Sequence, residues 1–399
     1  MPYYIGDVIK DENQLIARTP EKFRETGVEV RIDTRVEEIN GKAKTARLSD
    51  GQAIPYDILV LATGTKPLLP GIPGEDREGV FTLKKLTDAI RIKAWLKEVP
   101  CKKAIIVGAG FIGMEMCEAL RNLGIETRVY HRAPLPANRW DPELGKVILE
   151  ELQRRQVGFV TDREIKAVEE GRTHRLRLVT NQGDDEADLI LMAVGVRPDV
   201  DLAKQMGLPL GKSGAIQVNY SQQTSQAGVY AVGDCAESFH RVSGHWVNIP
   251  LGDIANKQGR VAGVNIGGGT AVFPGVVGSQ SFKIFGLEVA ATGLDEREAV
   301  ASGFSPASTV IWGNALARSM PQNSKLGLKL IADKSTGILL GAQAVGEKGA
   351  VARINTLAAA LWAGLTLDDV SWLDLAYSPP FSGSWDPIHI AAQALRDQI

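Results

Sequence analysis

The stretch KKAIIVGAGFIGMEMCEAL, residues 102–120, constrains this chain more than any other part of it. An apolar strand runs straight into Gly108-x-Gly110-x-x-Gly113, and an amphipathic helix follows. The first glycine permits the tight turn, the second lets backbone approach a pyrophosphate, and the third lets helix and strand pack closely. The helix N-terminus then offers free N–H groups and partial positive charge to phosphates. A lone G-x-G-x-x-G is a weak signal, but strand before and helix after make it specific. It reads as a nicotinamide-dinucleotide-binding Rossmann unit.

The surrounding pattern fits. A helix is expected at 86–98, a strand at 104–107, a helix at 112–123, a strand at 127–130 and a helix at 142–155. Strands near Phe159, at 175–180 and at 189–193 complete a parallel, doubly wound sheet. Upstream, the pattern predicts a helix over 19–26 with Pro20 at its first position, and strands at 28–32 and 43–48. The apolar run 58–62 follows, and the Pro- and Gly-rich segment 67–74 reads as a crossing between domains. Downstream, a strand at 229–232 ends in Gly233-Asp234, and a helix starts near Pro250. From about 272 the character turns α+β, with strands at 278–285, 309–312, 326–333 and 338–345 and a helix at 350–363.

Composition excludes several function classes. With 45 basic and 47 acidic residues the net charge is −2, which recommends neither nucleic acid nor a membrane surface as partner. Cys101, Cys117 and Cys235 are too few and scattered for a disulfide framework or a metal cluster. No apolar run approaches the roughly 18 residues of a membrane-spanning helix, and the N-terminus lacks a signal-peptide pattern. A cytoplasmic protein without a metal is expected.

Coenzyme preference should be set at the end of the second strand, roughly 20 residues past the turn. Tyr130, His131 and Arg132 stand there, with no carboxylate to hold a ribose 2′-hydroxyl. Arginine suits a 2′-phosphate, so NADPH is expected over NADH; a solvated surface arginine is the plain alternative.

Two more motifs flank this unit. Strand 58–62 ends in Thr63-Gly64, and TSQAGVYAVGDCAES, residues 224–238, ends a second strand in Gly233-Asp234. A carboxylate there can accept hydrogen bonds from a ribityl hydroxyl, and the glycine admits the cofactor chain. With these motifs the sequence closely resembles the pyridine nucleotide–disulfide oxidoreductase family, in the branch of coenzyme A-disulfide reductases and NAD(P)H oxidases. The resemblance covers residues 2 to about 393 and rests on PYYIG, RTPEKF, LATG, GAGFIGMEM, GVRP, YAVGDCAE, IPLGDIANKQGRVAGVNIGG and AYSPPFSGSWDP.

That resemblance implies an α/β flavoprotein with two Rossmann-like domains, the FAD-binding one incomplete at its N-terminus, and a C-terminal α+β dimerisation domain. The segments are 1–78 and 200–270 for FAD, 79–199 for NAD(P), and 271–399 for a homodimer contact. It implies that Asp234 holds the ribityl chain, with Thr63, Gly64 and Gly233 beside the cofactor. Pro250, Leu251 and Ala255 fall near the isoalloxazine, and Gly195 at the NAD(P) side. Phe111 and Ile112 open the helix after the glycine turn, Phe111 as the aromatic that covers the flavin until nicotinamide arrives. Glu115 matches a carboxylate near the nicotinamide, and Tyr377 a tyrosine reaching toward the partner's active site. The implied activity is hydride transfer from NAD(P)H to flavin and on to a small-molecule disulfide such as coenzyme A disulfide. An NAD(P)H oxidase reducing oxygen or peroxide is one alternative, and a nucleotide-binding protein without stable flavin is another.

The family also has an N-terminal βαβ unit of about 30 residues with its own glycine turn, and a single redox cysteine shortly before PYYIG. Both would fall upstream of Met1, and a fragment or misplaced start is favoured over a true truncation. Cys101, Cys117 and Cys235 are expected to be structural thiols. Where relatives carry a tyrosine pair before Pro-Gly, this chain has Ser319-Met320-Pro321-Gln322, which weakens the coenzyme A-disulfide assignment specifically. His240, His245 and His389 belong to no recognisable dyad and are expected to be solvated or core histidines.

Overall fold

A computed structural model describes residues 1–399. The chain divides into two compact units, one of residues 1–10, 67–195 and 277–399, the other of 11–66 and 196–276.

The first unit is built on a five-stranded parallel sheet. Its order is Val80–Phe81, Leu189–Met192, Lys103–Val107, Glu126–Tyr130, Gly158–Val160. All four residues of Leu189–Met192 are buried, as are Ala104 to Val107, because both faces of a parallel sheet are covered. Helix Phe111–Asn122 buries Met114, Met116, Cys117 and Leu120. Helix Pro142–Arg154 starts with proline at its first position and buries Leu144, Ile148 and Leu152, an i, i+4, i+8 stripe. Each such aliphatic side chain contributes about 2 kcal/mol of burial. From strand Lys103–Val107 the chain runs to one side of the sheet, and Leu189–Met192 returns on the other. The carboxyl ends of these two neighbours therefore form a topological switch point, where open α/β sheets bind ligands.

The segment 175–180 is not part of this sheet, contrary to the sequence pattern. Leu176–Thr180 is the middle strand of an antiparallel meander with Ile165–Glu170 and Asp185–Ala187. Its alternating burial explains why: one face packs Leu176 and Leu178 against Ile105, Val107, Ile190 and Met192, and the other faces outward.

The same unit holds a five-stranded antiparallel sheet ordered Gln280–Ile284, Leu287–Gly293, Leu339–Gly346, Lys325–Asp333, Pro306–Asn314. Strand Leu287–Gly293 is absent from the sequence reading. It pairs with Gln280–Ile284 across Phe285-Gly286, and Phe285 carries the positive φ of 49° that the tight turn needs. Phenylalanine gives no turn signal, so the hairpin reads as one strand. Helix Ala350–Ala363 covers the sheet.

In the second unit, Leu59–Leu61 pairs parallel with Val229–Ala231, and the helix Gly252–Ile266 follows in the chain. Ile39, Leu61, Val200, Ile216, Val229, Ala231 and Cys235 share one core. Strands Val36–Asn40, Thr45–Leu48 and Ala53–Pro55 form an antiparallel sheet. The strand expected at 28–32 does not form: Val28 and Ile32 are 49% and 61% exposed, with no strand beside them. The actual strand, Val36–Asn40, hides its pattern behind Glu37, Glu38 and a bulge.

Lys329 is a fully buried lysine midway along strand Lys325–Asp333 of the antiparallel sheet. Its ammonium lies 3.1 Å from Asp141, 3.3 Å from Glu143 and 2.5 Å from Glu296. Burial pushes the Asp141 carboxyl up, whereas the lysine beside Glu296 outweighs burial there and holds that carboxyl below its usual 4.5. Lys329→Met should therefore cost about 3 kcal/mol at neutral pH, because it strands buried carboxylate. A depressed carboxyl contributes stability above its ordinary value and loses it as pH falls through the folded value. The deficit of the variant should then shrink below about pH 4.5. Denaturant unfolding at pH 7 and pH 4 checks both; a deficit that grows in acid contradicts the assignment.

Candidate functional site

In the first unit the three glycines have separable reasons. Gly108 has φ +109°, and a Cβ there would lie 2.2 Å from the Ala193 carbonyl oxygen. A Cβ on Gly113 would lie 2.1 Å from the Gly108 carbonyl oxygen. Both glycines are thus demanded by the protein's own backbone. Gly110, the residue before the helix Phe111–Asn122, has ordinary φ, and a Cβ on it would meet nothing within 4 Å. No side chain caps this helix. Its first N–H groups and the open space over Gly110 sit at the same helix start, as a pyrophosphate cradle requires.

That space is part of a cavity of about 560 Å³ at the switch point. Gly108, Ala109 and Gly110 form one wall, Tyr130, His131 and Arg132 another, and Ala193, Val194 and Gly195 a third. The expected residues 108, 110, 130–132 and 195 are thus brought together. Tyr130 contributes its ring wall only: its hydroxyl is 3.2 Å from Asp185 Oδ2, and burial pushes its pKa up to about 12. His131 faces the glycine turn, with the Ala109 N–H donating to Nδ1 at 3.4 Å. The proton therefore sits on Nε2, which donates to Asn138 Oδ1 at 2.9 Å.

Arg163 and Asn138 also line the cavity and are absent from the sequence reading. Arg163 follows the fourth parallel strand in the chain, Gly158–Val160, so spacing from the glycine turn gives no hint of it. Neither Arg132 nor Arg163 has a carboxylate partner. Two guanidiniums thus face one cavity uncompensated, which suits a dianionic group.

Phe111, Ile112 and Glu115 lie on the first turns of the helix after the glycines. Phe111 packs against Phe282 and Trp140, ring centroids 5.7 and 6.2 Å away. Burial raises the Glu115 carboxyl, and the Tyr3 hydroxyl reaches it at 3.5 Å. Tyr377 is 56% exposed, with Trp372 and Phe381 also exposed in the same C-terminal segment. His389 is a core histidine, held 2.8 Å from the Leu373 carbonyl.

In the second unit, Leu59–Leu61 and Val229–Ala231 end side by side, leading into Thr63-Gly64 and Gly233-Asp234. Gly64 and Gly233 have φ of +71° and +74°, and a Cβ on Gly233 would press on Ala255 at 3.3 Å. Thr65 Oγ1 is 3.5 Å from Asp234 Oδ2. The fully buried Gln258 accepts the Gly233 N–H at 2.7 Å, and Asn248 donates to the Asp234 carbonyl at 2.9 Å. The sequence reading missed both, although Gln258 interrupts the buried stripe Ile254, Gln258, Ala262. Pro250 and Leu251 lead into the helix Gly252–Ile266, whose start has no side-chain cap. A carboxylate, two glycines and an uncapped helix start at the ends of parallel strands fit the ribityl and ring portion of a flavin.

None of the cysteines is poised as a thiolate. Burial pushes Cys101 and Cys117 up to about 12, and the Cys235 thiol donates to the Val232 and Leu61 carbonyls.

The glycine analysis separates packing from binding. Gly113→Ala should lose about 1–3 kcal/mol of stability, because backbone must move. Gly110→Ala should lose less than about 1 kcal/mol yet weaken coenzyme binding severalfold, since only a ligand fills that space. Thermal melts and NADPH titrations of the two variants check this; intact binding in Gly110→Ala would contradict it.

Comparison with known proteins agrees with this geometry. Residues 6–259 match the pyridine nucleotide-disulphide oxidoreductase family, and residues 279–387 its dimerisation domain. An NAD(P)H sulfur oxidoreductase (CoA-dependent) from Pyrococcus furiosus is 35% identical over 98% of this chain and 89% of its own length. An NADH oxidase from Methanocaldococcus jannaschii is 32% identical over 98% and 88%. The solved structure of an NAD-dependent persulfide reductase from A. fulgidus superposes with a TM-score of 0.95 at 35% identity, covering all of this chain and 75% of that one. No helix is long and apolar enough to cross a membrane. The chain belongs to the pyridine nucleotide–disulphide oxidoreductases, enzymes that use FAD and NAD(P)H.

Proposed function

We propose that this chain is an NADPH-preferring flavoprotein reductase acting on a small-molecule disulfide or persulfide, as a homodimer in the cytoplasm. The two uncompensated guanidiniums of Arg132 and Arg163 in one coenzyme cavity carry the preference. An NADH site would place a carboxylate there for the ribose 2′-hydroxyl. The segments 1–78 and 200–270 serve the flavin, 79–199 the nicotinamide coenzyme and 271–399 the dimer. The match to the dimerisation domain and the exposed Trp372, Tyr377 and Phe381 support the last assignment.

When bound, a flavin would supply a two-electron acceptor for the hydride of NADPH. The protein's task is alignment. Gly108 to Gly113 and the helix start hold the pyrophosphate, while Arg132 and Arg163 hold the 2′-phosphate. Glu115 serves the nicotinamide side, with Phe111 and Ile112 at the same helix start. Thr63, Gly64, Gly233 and Asp234 hold the ribityl chain. Pro250, Leu251 and Ala255 direct the uncapped helix toward the ring. Tyr377 serves the partner's site.

The disulfide reading balances as NADPH, a proton and a disulfide giving NADP⁺ and two thiols. The names of the Pyrococcus and A. fulgidus relatives point to coenzyme A-linked and persulfide sulfur. Reduction of oxygen, the activity in the name of the Methanocaldococcus relative, is the second reading. NADPH oxidation measured against coenzyme A disulfide, polysulfide and oxygen separates the readings; dominant oxygen uptake rejects the first.

Arg132→Ala and Arg163→Ala should each raise the Kd for NADPH about tenfold or more while leaving NADH nearly unchanged, as loss of a charge-assisted hydrogen bond implies. If both coenzymes are equally unaffected by both substitutions, the preference is wrong.

A further inference from the structure

The chain between strand Glu126–Tyr130 and helix Pro142–Arg154 has no regular structure, yet it brings Arg132 and Asn138 to the coenzyme cavity. It is tied to the glycine turn at one residue, Ala109. The Ala109 carbonyl accepts the Ala137 N–H at 2.9 Å, and the Ala109 N–H donates to His131, which in turn donates to Asn138. These three hydrogen bonds and the Ala137–Asn138 peptide link thus close a ring around the turn that cradles the pyrophosphate. Ala137 has φ +54°, a conformation alanine rarely adopts, so something outside the ring must hold it there.

What holds it comes from the antiparallel domain of the same unit. Arg139 Nη1 donates to both Glu298 oxygens at 3.2 Å, and Nη2 donates to the Gly293 carbonyl at 2.7 Å and the Gly278 carbonyl at 3.3 Å. Arg297 donates to the Asn138 carbonyl at 2.8 Å. Trp140 Nε1 donates to the Ala290 carbonyl at 3.0 Å, and the Asp141 N–H to Gln343 at 2.7 Å. Of these anchors Arg139 makes the most bonds, and its side chain is only 19% exposed. Its guanidinium faces Glu298, two carbonyls and no ligand space.

We propose that Arg139 is a positioning residue of the coenzyme site: by fixing the strap 131–140 to Glu298 and to the Gly278 and Gly293 carbonyls, it presets the Ala109 turn for the pyrophosphate. It touches no reacting atom. The proposal rests on the coenzyme occupying the cavity over the glycine turn, and not on which coenzyme is preferred. The pyrophosphate is common to NADPH and NADH, so loosening the strap weakens both alike, unlike loss of Arg132 or Arg163.

Arg139→Gln and Glu298→Gln keep the shape of the contact and remove its charge; Arg139→Lys keeps the charge. Equilibrium titration of the purified holoenzyme with the oxidised form of each coenzyme, which cannot reduce the flavin, gives the Kd values by intrinsic fluorescence, and melting temperature is followed in parallel. Arg139→Gln should raise both Kd values about fivefold to twentyfold, Glu298→Gln by less, and Arg139→Lys should recover part of the loss, with kcat at saturating coenzyme within about twofold of wild type. Kd values unchanged in both glutamine variants, with only the melting temperature lowered, would reduce Arg139 to a structural tie and overturn the proposal. A rise for NADPH alone would assign the effect to the 2′-phosphate and also overturn it. Wild-type protein that binds neither coenzyme rejects the cavity reading itself.

Discussion

The fold of the coenzyme-binding unit depends on one close approach of backbone to backbone. Strand Lys103–Val107 turns at Gly108 so tightly against Ala193 that no side chain fits, and the helix beginning at Phe111 then lies against Gly108 through Gly113. That contact sets how strand, turn and helix pack, and with it the distance between the carboxyl ends of strands 103–107 and 189–192. The cavity is the consequence. The start of the helix, where no side chain caps the first N–H groups, is left at the one place where neighbouring connections diverge. Gly110 differs in kind from its neighbours, because the protein itself has no use for the missing side chain.

Most of this was legible because the information is local. The apolar run, the glycine spacing and the amphipathic helix lie within twenty residues, and helices 86–98 and 350–363 have the bounds their periodicity gives. The failures share a cause. Leu176–Thr180 alternates as a half-buried strand should, but nothing local says which sheet it joins. Leu287–Gly293 was hidden by a Phe-Gly turn, and 28–32 has the composition of a strand without a partner. At the site, Arg132 was legible by its offset from the turn. Arg163, Asn138, Gln258 and Arg139 were not, since each acts through a contact that only tertiary structure creates.

Charge in the first unit is placed by the same logic. Arg128, Arg139, Arg177 and Arg353 all meet carboxylates, and Lys329 meets three. Arg132 and Arg163 depart from these four arginines: both line one cavity and neither meets a carboxylate. Such departures from internal satisfaction mark sites where the missing partner is a ligand. The cysteines show the converse: every thiol is either buried out of reach or already donating to a carbonyl.

The strap 131–140 and the Asp141 that follows it show how a site can be rigid without regular structure. Residues 137 to 141 are each tied in turn: Ala137 to the glycine turn, Asn138 to Arg297, Arg139 to Glu298 and two carbonyls, Trp140 to Ala290, Asp141 to Gln343 and Lys329. A helix would satisfy these backbone groups by itself and would leave the strap free to move as a body. Here the ties run largely through side chains to residues of the antiparallel domain, so the strap's position follows that domain's. Because the ties are consecutive and redundant, losing one shifts the strap by a fraction of its span and leaves the core around Leu144, Ile148 and Leu152 intact. Fractions of an ångström matter little to packing at the surface and much to a turn whose N–H groups must converge on one pyrophosphate.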